Sequence, residues 1–114
     1  MSEYKTVNIE EGRPTSDLAI RRLTYEIKNS KRLGYKAIKV IHGYGSSGAG
    51  GKIRIEARNY LLRLHTRREI QAFIPGEYFS IFDSDTRTAL DICPEIRSDS
   101  DLERHNNGIT VIIF

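Results

Sequence analysis

One cysteine stands in 114 residues, so no internal disulfide can form and no cysteine-based metal cluster can be built. Cys93 precedes Pro94 and reads as a small packing residue, and its isolation fits a reducing compartment. No apolar run approaches the roughly 18–20 residues that a membrane-spanning helix needs. The first residues lack the apolar core of a secretory signal. The expectation is a cytoplasmic protein with no membrane partner. There is no internal repeat, and no low-complexity tract outside one glycine-rich loop. With 39% hydrophobic and 29% charged residues, the composition is that of a single ordinary domain spanning 1–114, large enough to bury a core without staples.

What is present is an uneven distribution of charge. The formal net charge is only +3. Residues 1–20 carry a net of −2, residues 21–68 carry thirteen bases and two acids for a net of +11, and residues 69–114 carry a net of −6. The basic stretch holds more positive charge than solvation requires, and such a field draws phosphate backbones or other anionic surfaces. The acidic segment 77–103 is open to three readings. It is an ordinary acidic surface, it covers the basic face in place of nucleic acid, or it contacts a protein partner.

Residues 5–9 read as a short strand. After the turn at Glu11-Gly12-Arg13-Pro14, Thr15 or Ser16 is placed to cap a helix over 16–32, with Asp17 in its first turn. Ala19, Leu23 and Ile27 give that helix one apolar face, and Gly34 is placed to stop it. Residues 36–41 form a β-branched strand, expected to be central. Ile53, Ala57, Leu61 and Leu64 keep a helical period over 52–65, residues 69–74 alternate as a strand does, and GITVIIF closes the chain as another strand. The connection 76–107 is too long for plain loop and should contain a short element near Thr88–Ile92. Alternating strands and helices imply parallel pairs. The expected architecture is an α/β two-layer βαβαβ(β) sandwich, with a mostly parallel four-stranded sheet and both helices on one face.

The most informative segment joins the second strand to the second helix. It reads His42-Gly43-Tyr44-Gly45-Ser46-Ser47-Gly48-Ala49-Gly50-Gly51, with Lys52 and Arg54 following. Glycines let backbone amides approach a ligand closely. Amides at the head of a helix carry partial positive charge that favours phosphate. Open α/β sheets bind ligands outside the carboxyl ends of their strands, where this segment lies. Two familiar phosphate motifs do not account for it. The Walker pattern would require glycine at Ser46 and a hydroxyl at Ile53. The stretch Gly43–Gly48 matches G-x-G-x-x-G, but the helix is delayed by Ala49-Gly50-Gly51 and no acidic residue closes the next strand.

A strand ending in Ile41-His42-Gly43-Tyr44-Gly45, then small residues, then a helix opening near Ile53-Arg54, resembles the Smr (small MutS-related) domain. Gly108-Ile109-Thr110-Val111 resembles that family's terminal glycine and short strand, so the resemblance runs over nearly the whole chain. It implies a fold like the C-terminal domain of translation initiation factor three, nucleic-acid binding to DNA or RNA and, in some members, endonuclease activity that nicks the strand. His42, Gly43 and Gly45 fall on the HGxG positions, with Tyr44 at the variable one. The chain departs from the pattern at its first strand, where the family's L-D-x-H-G becomes Val7-Asn8-Ile9-Glu10. Asn8 replaces the acid and cannot act as a base. Glu10 replaces the histidine.

These residues define the expected site. His42 is the candidate general acid or phosphate ligand, a role suited to imidazole near neutral pH; alternatively its ring orders the glycine loop. Glu10 is the candidate base, or the holder of a divalent ion such as Mg2+; alternatively it is a solvated strand-end acid. Gly43, Tyr44, Gly45, Lys52, Arg54 and Arg58 are the candidate phosphate and nucleic-acid contacts. Tyr44 either stacks on a base or folds back onto the domain. Lys39 is expected to face solvent on the open side of the sheet. The function these residues describe is that of a nucleic-acid-binding Smr-like domain, with either phosphodiester cleavage or a non-catalytic RNA- or ribosome-binding role.

Overall fold

The computed structural model describes residues 2–44 and 49–114. In chain order it contains β1 (Tyr4–Asn8), α1 (Ser16–Arg32), β2 (Ala37–Ile41), α2 (Ala49–Thr66), β3 (Ala72–Pro75), a 3-10 turn Gly76–Tyr78, α3 (Ser84–Ile92), a second 3-10 turn Pro94–Ser98, and β4 (Ile109–Ile113). No helix among the described residues is long and apolar enough to cross a membrane.

The first helix forms where capping chemistry and periodicity agree. Thr15 takes the N-cap position and its hydroxyl accepts from the Leu18 amide at 3.2 Å, satisfying one of the orphan donors of the first turn. At the other end Gly34 adopts φ +86. The Tyr35 amide then reaches back to the Ser30 carbonyl and the Gly34 amide to that of Lys31, the paired bonds of a Schellman ending. Ala19, Leu23 and Ile27 are buried, as their four-residue spacing requires. Helix α3 is capped in the same way by Asp83, whose carboxylate accepts from the Thr86 amide at 2.9 Å.

The four strands lie in the order β1-β2-β4-β3. β1 and β2 are parallel, with Val7 opposite Val40. β4 inserts between β2 and β3 and runs antiparallel to both. This corrects the expectation of a mostly parallel sheet. Three strands do point the same way, but the fourth enters the centre reversed, so only one neighbouring pair is parallel.

The second correction concerns layers. Alternation along the strands divides the core in two. Ile38, Val40 and Ile112 pack against α1 and α2, with Leu23, Ala57 and Leu61. Ala37, Ile74, Ile109, Val111 and Ile113 face the other way, against Phe79, Ala89, Leu90, Cys93 and Ile96. The 76–107 connection therefore forms a third layer rather than leaving one face bare. All five residues of β4 are buried, the signature of a strand covered on both faces. Lys39 is consequently not solvent-facing. It is 8% exposed, and its ammonium meets Asp99 at 2.8 Å and Asp101 at 2.7 Å. Tyr4 donates its hydroxyl to the same Asp99 at 2.6 Å, and Asn106 donates to Asp101 at 3.0 Å.

Candidate functional site

The carboxyl ends of β1 and β2 bring two of the expected site elements into contact. β1 runs out through Ile9, whose amide bonds the Ile41 carbonyl at 3.0 Å, and Glu10 follows. The Asn8 side chain accepts from the Glu10 amide at 2.9 Å, and the Glu10 carbonyl accepts from Arg13. This holds Glu10 over the start of the glycine loop. Gly43 sits there with φ +74, and a Cβ at that position would collide with the Glu10 carboxylate. The left-handed backbone favours glycine at residue 43, and a side chain there would also displace the Glu10 carboxylate.

His42 lies beneath this contact, not on the surface. Its residue is 0% exposed. Nδ1 stands 2.8 Å from the Gly43 carbonyl and Nε2 stands 2.8 Å from the Thr110 hydroxyl. A carbonyl oxygen only accepts, so Nδ1 carries the proton and Nε2 is the acceptor. Thr110 then donates to Nε2 while its oxygen accepts from Arg58 Nε at 3.3 Å. The hydrogen bonds form one directed chain, from Arg58 through Thr110 and His42 to Gly43. Burial lowers the His42 pKa to about 4. The Arg58 and Arg54 charges push it the same way, against the Gly43 carbonyl and Glu77, which favour the charged form. At neutral pH the ring is uncharged, and both nitrogens are engaged. Gly43 and Thr110 take the two ring nitrogens, and the ring is buried.

Arg58 is also turned inward. Its guanidinium grips Glu77 with two bonds of 2.7 and 2.8 Å, and it reaches the carbonyls of Asn107 and Ile109 at 3.4 and 3.3 Å. Burial raises the Glu77 carboxyl, but the Arg58 bonds outweigh it and hold its pKa below the ordinary value. The expectation that Arg58 meets phosphate is corrected accordingly. Its partners come from 19 to 52 residues away along the chain, and no local pattern announces them.

The remaining contacts stay outside. Lys52 is exposed and Arg54 half-buried on α2. Tyr44 is 56% exposed, with one ring edge near the α-carbon of Gly108, where a Cβ would stand 3.1 Å from Tyr44 Cδ1. Its ring is therefore braced on one side and open on the other. Gly45 lies outside the described residues. No group of three His, Cys, Asp or Glu side chains comes together among the described residues.

The uneven charge of the sequence takes a spatial form. α1 and α2 cover one face of the sheet and α3 with the Pro94–Ser98 turn covers the other. The basic helices and the acidic segment thus occupy opposite sides of the molecule, and the acidic segment does not mask the basic one. Among the described residues, Glu77 reaches Arg58 of α2, and Asp99 and Asp101 reach Lys39 of β2. Nothing local in the sequence marks Glu77 as a partner of Arg58; for Thr110, a threonine amid the apolar run Ile109–Ile113 is the available signal of a buried polar partner. Compared with known proteins, the chain matches no family model, no curated protein and no solved structure.

Proposed function

We propose that this domain binds nucleic acid as a non-catalytic module, with the backbone seated along α2 and a base or sugar stacked on Tyr44. The supporting observation is the position of Tyr44, braced against Gly108 and more than half exposed beside Gly43. Lys52 and Arg54 lie on the helix that follows the same loop. An exposed aromatic next to cations is the combination that single-stranded nucleic acid uses, by stacking and by charge neutralisation. The resemblance of His42–Gly45 to the Smr domain points the same way. Its cleavage chemistry does not carry over on this reading, because His42 is neutral and spoken for, and Asn8 stands where the family has an acid.

In this account His42 is a positioning residue. It fixes the carbonyl of Gly43 and so sets the direction in which the chain leaves β2. Glu10 packs over the same glycine and limits its movement. The test is fluorescence anisotropy with single-stranded RNA, single-stranded DNA and duplex DNA over a salt series. Affinity should fall linearly with salt on logarithmic axes, with the slope reduced by about one for each of Lys52→Glu and Arg54→Glu. Tyr44→Ala should weaken binding to single strands with the salt slope unchanged. The same protein incubated with supercoiled DNA and structured RNA in magnesium should leave both intact. Absence of binding at low salt overturns the proposal. Cleavage that His42→Ala abolishes overturns its non-catalytic part.

A further inference from the structure

Two exposed apolar surfaces lie at opposite edges of the sheet. The first surrounds the loop before α3. Phe82 is 86% exposed, with Tyr78 and Ile81 exposed beside it in the chain. This loop is held rigidly while its apolar side chains point outward. The Ile81 amide donates to Glu103 at 2.8 Å and its carbonyl accepts from Arg87 at 2.9 Å. The Phe82 amide donates to the Ser80 hydroxyl, and Asp83 caps α3. Phe79, immediately before, is fully buried. Preorganised aromatic knobs of this kind lose little entropy on docking. Its surroundings are net acidic, three carboxylates against the Arg87 guanidinium. Tyr78, Asp83 and Asp85 line one hollow with β3, and Glu103 holds Ile81.

The second surface is a groove at the β1 edge. It is lined by Thr6 and Asn8 of the strand and by Leu18, Arg21, Arg22 and Tyr25 of α1. β1 has only one neighbour in the sheet, so its outer rim carries unpaired backbone groups. Leu18 and Tyr25 are spaced by two turns and both exposed. They form a stripe separate from the buried Ala19-Leu23-Ile27 face. Lys5 and Glu26 neutralise each other across this groove at 3.6 Å, leaving Arg21 and Arg22 as its net charge.

We propose that these surfaces fit each other, and that the chain associates head to tail. Ile81 and Phe82 of one copy seat between Leu18 and Tyr25 of the next, and Asp85 meets Arg21. The occupant is a second copy because knob and groove match in both apolar character and opposite charge. One molecule cannot join its own two edges. A contact between unlike patches at opposite edges continues from copy to copy instead of closing as a two-fold dimer. The proposal uses none of Tyr44, Lys52 or Arg54, so it stands apart from nucleic-acid binding.

The test is sedimentation velocity on protein freed of nucleic acid, over a concentration series at low and high salt. The expected result is a mass that rises with concentration beyond the dimer and falls with salt. Phe82→Asp and Tyr25→Asp should each weaken association by roughly tenfold or more, as loss of an anchor does. Both positions are exposed, and circular dichroism should show each variant folded. An equal mixture of the two should give a one-to-one dimer and nothing larger, since only one working junction remains. Asp85→Lys and Arg21→Asp, impaired singly, should recover association when mixed. A chain that stays monomeric throughout overturns the proposal, as does a dimer that Phe82→Asp leaves intact.

Discussion

The Thr110 hydroxyl stands 2.8 Å from Nε2 of His42, across 68 residues of sequence. β4 thereby holds the histidine that the loop motif presents. Thr110→Val keeps the shape of the side chain and removes the hydroxyl. It leaves Nε2 buried without a donor and Arg58 Nε without an acceptor. The expected cost is about 1–3 kcal/mol, read from urea unfolding, with Thr110→Ser recovering most of it. A neutral Thr110→Val would show that the bond contributes nothing.

The same histidine sets a pH dependence. Its folded pKa of about 4 lies below the ordinary value of 6.5. Between those two values the unfolded chain binds a proton that the folded chain refuses, so stability is full above about pH 6.5 and declines as pH falls toward 4. The loss attributable to His42 is about 3 kcal/mol over that window. Urea midpoints of the wild type and His42→Asn, compared at pH 7 and near pH 4.5, isolate it, because the variant should lose that share of the decline. A histidine resonance titrating near 6.5 in the folded protein and assigned to His42 would contradict the arrangement.

Gly43 offers a separable test of backbone and packing. Gly43→Ala places a methyl in a left-handed conformation and against Glu10. The backbone part costs about 1–2 kcal/mol, and the collision adds to it. Glu10→Ala in the same chain should relieve the collision and leave the backbone part. Thermal unfolding of the single and double variants measures both. Full recovery in the double variant would mean that the left-handed backbone is not required.

On the opposite face, Lys39 neutralises two carboxylates. Burial raises the Asp101 carboxyl, but bonds from Lys39 and Asn106 outweigh it and its pKa is lowered. Lys39→Met leaves the Asp99 side chain, only 3% exposed, without a counter-charge. The expected loss is about 3–5 kcal/mol. Adding Asp99→Asn and Asp101→Asn should return much of it, because the uncompensated charges are then gone. A single variant as stable as the wild type would place this cluster among the weak surface pairs.

The sequence by itself determined the local elements and the division of charge. Helix α1 follows from Thr15, the Ala19-Leu23-Ile27 spacing and Gly34, all within one helix length, and β2 follows from its β-branched run. α2 and β4 were legible for the same reason, and the short element near Thr88–Ile92 was legible as the C-terminal part of α3. Glu10 was named through the family resemblance, and its contact with Gly43 came from the pairing of β1 with β2. Tertiary structure decided what each polar residue does. Thr110 and His42, Lys39 and Asp99, and Arg58 and Glu77 are separated by 68, 60 and 19 residues, and no periodicity reports which of them will meet. The reversed entry of β4 decided the sheet order and set Thr110 against His42, and the 76–107 layer covered Lys39. Hydrophobic spacing tells a strand to form, but the direction from which a distant strand arrives depends on how the whole core closes.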